Sequence, residues 1–156
     1  MSESDWFEEW FDTKYYHILY KNRDDLEAKQ FIFGLMDHLQ LKPGMKLLDL
    51  ACGKGRHSKT LNDLGYDVLG VDLSKKSIAD AEKWTNNGLS FRVHDMREVL
   101  PNRSFDAIFN LFTSFGYFDS HKDNERMCLS IYRMLRPGGR LVIDFMNVCK
   151  VMDYLI

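Results

Sequence analysis

Residues 48–58 read LDLACGKGRHS, and this stretch decides the fold. Leu48 to Leu50 ends an apolar run of the kind that forms a strand buried on both faces. A glycine-rich turn, Gly53-Lys54-Gly55, follows, and then the start of a helix. Gly53 and Gly55 let the backbone come close to a ligand where a Cβ would collide. Asp49 lies inside the apolar strand, and a carboxylate there needs a partner. A second apolar run, VLGVD, ends in Asp72, seventeen residues after Gly55. Two strand-end acids around a glycine turn indicate a site for a small nucleoside ligand.

Outward from this stretch, strands and helices alternate. Lys46–Leu50 reads as strand 1 and His57–Leu64 as a helix. Asp67–Val71 is strand 2, and Lys75–Thr85 a helix capped by Ser74. Leu89–Val93 is strand 3 and Asp106–Phe112 strand 4. Asp123–Leu135 is a helix with Cys128, Ile131, Tyr132 and Leu135 inward, and Arg140–Phe145 is strand 5, entered through the turn Pro137-Gly138-Gly139. This order implies an α/β fold, a Rossmann-like doubly wound and mainly parallel sheet with right-handed crossovers. Upstream, Ala28, Phe31, Ile32, Leu35, Met36 and Leu39 recur at helical spacing and predict an amphipathic helix. Trp6, Phe7, Trp10 and Phe11 fall at the same spacing, which fits a helix packed on the domain or a lid over a pocket. We read residues 1–41 as an N-terminal helical lid and residues 42–156 as the core of one domain.

At 156 residues the chain can build one real core. A net charge of −2 gives no bulk attraction to nucleic acid or to an anionic membrane. No apolar run is long enough to cross a bilayer. The start of the chain is acidic and aromatic and lacks the pattern of a signal peptide. Cys52, Cys128 and Cys149 are widely spaced and odd in number, which fits reduced thiols in the cytoplasm and matches no zinc pattern. The expected partner is a small-molecule substrate.

Ligands of such sheets bind beyond the carboxyl ends of the strands. Polar residues collect there: Gly53 to His57, Asp72, Asp95, and Asn110 to Tyr117. A dinucleotide fingerprint wants a third small residue after the glycines. Ser58 fits it poorly, which disfavours a nicotinamide oxidoreductase. A Walker A loop is absent.

Five blocks in order resemble the class I methyltransferases that use S-adenosylmethionine: LDLACGKG, GVDLS, HDMR, FDAIFNLFTSFGYF and LRPGGRLVIDF. The resemblance covers about residues 42–147, and its finer form, in GRH and YYHILYKNRD, is to bacterial small-molecule methyltransferases. It implies that backbone around Ala51, Cys52 and Gly53, with Gly55, passes the methionyl part of the cofactor, and that Asp49 accepts from its ammonium. It implies that Asp72 accepts from both ribose hydroxyls, that Leu73 and Met96 sandwich the adenine, and that Asp95 accepts from the adenine amino group. Asn110 and Leu111 would lie beside the sulfonium. Phe112, Phe115 and Tyr117 would wall the acceptor pocket, Arg56 would serve a carboxylate, and Tyr16, Tyr20 and Arg23 would close the site. His57, His94 and Tyr117 are candidate general bases by position.

The sequence departs from this family twice. Ala51 stands where glycine is common and predicts a negative φ. The family's strand order, 3-2-1-4-5-7-6, ends in an antiparallel hairpin, whereas residues 146–156 can supply one short element. We therefore expect a truncated product with order 3-2-1-4-5, whose strand 5 edge invites homodimerisation or aggregation unless residues 147–156 cover it. The expected activity is methyl transfer to a small molecule, with a catalytically incomplete cofactor-binding or interaction module as the alternative.

Overall fold

A computed structural model describes residues 13, 15, 18, 25–112 and 114–154. Helix α1 spans Asp25–Leu39 and buries Ala28, Ile32 and Met36 along one stripe. The chain then enters strand β1, Lys46–Leu50, through Gly44, whose φ of 82° favours glycine and whose N–H reaches the Gly65 carbonyl at 2.8 Å. Helix α2 is Arg56–Asp63, β2 Asp67–Asp72, α3 Lys75–Ala81 with a 3₁₀ turn at Glu82–Trp84, and β3 Leu89–Val93. Strand β4 is Phe105–Asn110, α4 His121–Met134, β5 Leu135–Ile143 and α5 Val148–Tyr154.

All five strands are parallel, in the order β3-β2-β1-β4-β5. The period-2 alternation of the strands sorts their side chains onto two faces. Leu48, Leu50, Leu69, Val71 and Ile108 pack against Met127, Ile131 and Met134 of α4. Leu47, Val68, Ala107 and Phe109 pack on the other face against Ile32 and Met36 of α1 and Leu61 of α2. Helix α1 is therefore part of a core layer.

Several expectations need correction. The inward stripe of α4 is Met127, Ser130, Ile131 and Met134, whereas Cys128 is exposed and Tyr132 is 77% exposed. Both stripes contain Ile131, and the deformable methionine thioethers fill the gap against the sheet. Strand β4 stops at Asn110 because the backbone leaves the extended region at Phe112, where φ is 61°. Helix α4 begins two residues early, on a Ser120 cap that accepts from Lys122 N–H at 3.1 Å. Strand β5 is entered directly from α4: Leu135 lies opposite Phe105, Arg140 opposite Ala107, and residues 136–139 bulge out as the expected Pro-Gly-Gly turn. Ser74 caps α3 as expected, accepting from Ser77 N–H at 3.1 Å. Trp6, Phe7, Trp10 and Phe11 lie outside the described residues.

Candidate functional site

Strand β1 runs through the middle of the sheet, so Asp49 is carried into the interior, with 1% of its surface exposed. In register it sits between Gly70 of β2 and Phe109 of β4, on the face covered by α2. Ser58, in the first turn of α2, donates to Asp49 Oδ2 at 2.6 Å. Gly70 makes room for this pair, since a Cβ there would stand 2.8 Å from Ser58 Oγ. Burial raises the Asp49 pKa to about 7; the Asp72 charge adds to the rise and the Ser58 hydrogen bond opposes it. The residue that spoiled the dinucleotide fingerprint is thus the partner of the buried acid.

The turn after β1 is built on left-handed backbone. Ala51 has φ 59°, which corrects the expected negative value. A left-handed non-glycine residue stores roughly 1–3 kcal/mol of strain. Gly53 and Gly55 follow at φ 54° and 77°. Asp72, at the end of β2, closes this turn: its Oδ2 accepts from Gly53 N–H and its Oδ1 from Ser74 N–H, each at 2.8 Å. One carboxylate therefore ties the glycine turn to the cap of α3. A Cβ on Gly53 would meet nothing within 4 Å, so the backbone there faces open space. Cys52 is buried, and burial, with the Asp49 and Asp72 charges adding to it, pushes its thiol well above the usual range. The shift favours the neutral thiol over the thiolate.

At the end of β3, Asp95 accepts from the Arg97 side chain at 2.7–3.0 Å and from Arg97 N–H at 2.9 Å. Burial pushes the Asp95 pKa up, but Arg97 outweighs it and the net displacement is downward. The expected acceptor is thus an ionised carboxylate clamped by its own neighbour. Met96 and Leu73 are half-buried and pack on the α4-side core, and the Met96 carbonyl accepts from Ser130 Oγ at 2.6 Å.

At the end of β4, Asn110 is fully buried and donates from Nδ2 to the Leu50 carbonyl at 3.1 Å. Its Oδ1 has no hydrogen-bond partner among the described residues. A buried acceptor left in that state is costly unless something else meets it. Leu111 is buried in the α1-side core. Phe112 stacks on His57, with ring centroids 4.7 Å apart and planes at 15°. The Phe112 ring also meets Phe31 of α1 edge-on at 5.9 Å and lies 5.3 Å from the Arg56 guanidinium carbon.

The expected acceptor wall is therefore split. Arg56, His57 and Phe112 gather on the α1–α2 side, while Phe115 and Tyr117 pack on the α4-side core, with Phe115 edge-on to Phe145 at 6.3 Å. His94 Nε2 lies 2.9 Å from the Glu98 carbonyl, and its N–H continues the backbone pairing to Asp72. Tyr16, Tyr20 and Arg23 lie outside the described residues. Sequence reasoning missed Ser58 as a partner of Asp49, and it missed Asp144, whose Oδ2 accepts from Phe112 N–H at 3.2 Å. Asp144 could have been suspected, because it ends an apolar strand as Asp72 does. Among the described residues no helix is long and apolar enough to cross a membrane.

Residues 48–143 match a family model described as a methyltransferase domain. A glycine/sarcosine/dimethylglycine N-methyltransferase of Actinopolyspora halophila is 32% identical over 145 residues, covering 87% of this chain and 24% of that protein. A glycine/sarcosine N-methyltransferase of Aphanothece halophytica is 31% identical over 151 residues, covering 94% of this chain and 54% of that protein. Among solved structures, S-adenosylmethionine-bound CalS10, an amino pentose methyltransferase from Micromonospora echinaspora, superposes with a TM-score of 0.68 at 25% identity, covering 86% of this chain and 57% of that one. The chain thus spans between a quarter and a little over half the length of these proteins.

Proposed function

The chain belongs to the methyltransferase domain family, and on that premise we propose that it binds S-adenosylmethionine and directs methyl transfer to a small-molecule amine. The observation that carries this reading is the Asp72 carboxylate hooked onto the Gly53 N–H, which aligns a strand-end acid with an open glycine turn. The unpartnered Asn110 Oδ1 and the buried Asp49 fit a ligand that brings cationic and donor groups to the rim.

In this reading Asp49 meets the methionyl ammonium and the backbone of residues 51–55 lines the methionyl part. Asp72 accepts from the ribose hydroxyls. Leu73 and Met96 hold the adenine between them, and Asp95 with the Met96 N–H reads its edge. The cofactor supplies a methyl group already activated by its sulfonium, so the protein contributes alignment and exclusion of water. Asn110 and the Leu111 backbone lie at the reacting end. An amine must arrive uncharged to attack, and His57 and Tyr117 are the bases within the two aromatic groups of the rim. The relatives that methylate amines support this acceptor class. We further assign β5 to a homodimer edge where Leu141 and Ile143 stay exposed, and the free thiols to a reducing, cytoplasmic setting.

Calorimetry with S-adenosylhomocysteine and with NAD tests the binding half; the first should bind and the second should not. Product assays with glycine, sarcosine and amino sugars test the transfer half. Binding without turnover on any of them would leave a cofactor-binding module. Sedimentation of Leu141→Lys beside the wild type tests the dimer edge, and a monomeric wild type would remove it.

A further inference from the structure

We propose that Asp144 is a positioning residue for the acceptor side of the site, holding Phe112 in its left-handed turn so that the ring stays stacked on His57. The inference rests on the methyl-transfer reading only in calling that side the acceptor's. Asp144 follows β5 directly, and its N–H donates to the Asn110 carbonyl at 2.9 Å. That bond carries the β4–β5 ladder one step past Ile143 and fixes the Asp144 backbone beside Asn110. Its carboxylate then accepts from Phe112 N–H at 3.2 Å. One residue thus grips the end of β4 at two places, with buried Leu111 between them.

Phe112 is a bulky aromatic at φ 61°, a conformation that persists only where its surroundings hold it. That angle sets where its Cα–Cβ bond points, and the ring extends from there. The ring meets His57 face-on at 4.7 Å, Phe31 edge-on at 5.9 Å and the Arg56 guanidinium at 5.3 Å, so β4, α1 and the first turn of α2 converge on it. A Phe112 released to negative φ would turn away from all three. Asp144 follows β5, two strands from β1 and three from β2 in the sheet, so it stands apart from Asp49 and Asp72 and acts through Phe112.

The test is nuclear magnetic resonance of the His57 ring protons, which a face-on phenyl ring shields. Asp144→Ala should move these signals downfield. Asp144→Asn, whose side-chain oxygen still accepts, should keep them at their wild-type positions. A residue that merely stabilised the fold would lower the melting temperature without moving them. In the wild type, the Phe112 amide should exchange slowly with solvent, as a hydrogen-bonded amide does. This measurement decides the question should Asp144→Ala fail to fold. Unmoved His57 signals in Asp144→Ala, equal displacement in Asp144→Asn, or a Phe112 amide exchanging at the free-peptide rate would overturn the proposal. S-adenosylhomocysteine binding is measured on the same samples. A wild type that fails to bind it defeats the cofactor reading alone, and the His57 and Phe112 signals still decide the role of Asp144.

Discussion

Replacing Asp49 by asparagine should stabilise the ligand-free protein at alkaline pH while weakening its hold on the cofactor. In the folded chain burial raises the Asp49 pKa from 3.8 to about 7. Between those two values the folded state keeps a proton that the unfolded state has released, so stability falls as pH rises through that window and levels off above it. At about 1.4 kcal/mol per pH unit, the loss reaches about 4 kcal/mol by about pH 8. That is a large part of the roughly 5–15 kcal/mol that holds a domain together. Asparagine has no charge to desolvate and keeps an oxygen for Ser58 Oγ, so the variant should escape the fall. Urea unfolding without ligand should show Asp49→Asn ahead by about 1–2 kcal/mol near about pH 5 and by about 4 kcal/mol near about pH 8. Parallel pH profiles for the two proteins, or a variant less stable at the higher pH, would refute the reasoning. The same carboxylate should lose its proton when an ammonium arrives beside it. Calorimetry of S-adenosylhomocysteine near about pH 6 should then give an apparent enthalpy that changes with the buffer's ionisation enthalpy in the wild type and not in the variant.

Asp72→Ala should weaken S-adenosylhomocysteine binding by about 1–3 kcal/mol, the scale of a charged hydrogen bond, as read by calorimetry. Unchanged affinity in a folded variant would remove Asp72 from the site. Ala51→Gly relieves a left-handed alanine and should raise stability by about 0.5–1 kcal/mol in denaturant unfolding. A loss of stability there would mean that the alanine methyl is worth more than the strain. Gly70→Ala places a methyl 2.6 Å from the Phe91 ring and 2.8 Å from Ser58 Oγ, and should cost about 1–3 kcal/mol. Combining it with Phe91→Leu should recover part of that loss, and strict additivity of the two changes would argue that the ring is not what the methyl meets.

The sheet was legible because parallel strands buried on both faces read as apolar runs, and because Ser74, Pro43-Gly44 and Pro137-Gly138-Gly139 punctuate them. The strand-end acids were legible for a related reason: Asp49 and Asp72 interrupt or end apolar runs where a carboxylate is out of place. The backbone of Ala51 and Phe112 was not legible. A positive φ at a residue with a Cβ is imposed by the surrounding structure and contradicts local preference. The phase of α4 is easily misread because residues 127–135 hold two apolar stripes that share Ile131, and choosing between them needs the shape of the opposing sheet. The pairing of Ser58 with Asp49 was hidden because the two are nine residues apart on different elements and meet only when α2 lies on β1.

Phe91 gives the site a dependence on its own periphery. Its ring, carried on the edge strand β3, fills the space that side chains at Gly55 and Gly70 would need, and a methyl at either position would stand only 2.6 Å from it. Three positions on a turn and two strands therefore share one volume. Evolution can enlarge one of them only after shrinking another. The route from Gly70 to alanine passes first through a smaller residue at 91, and chains that take the steps in the other order should fold poorly at the intermediate; Gly55, at φ 77°, resists a side chain even then.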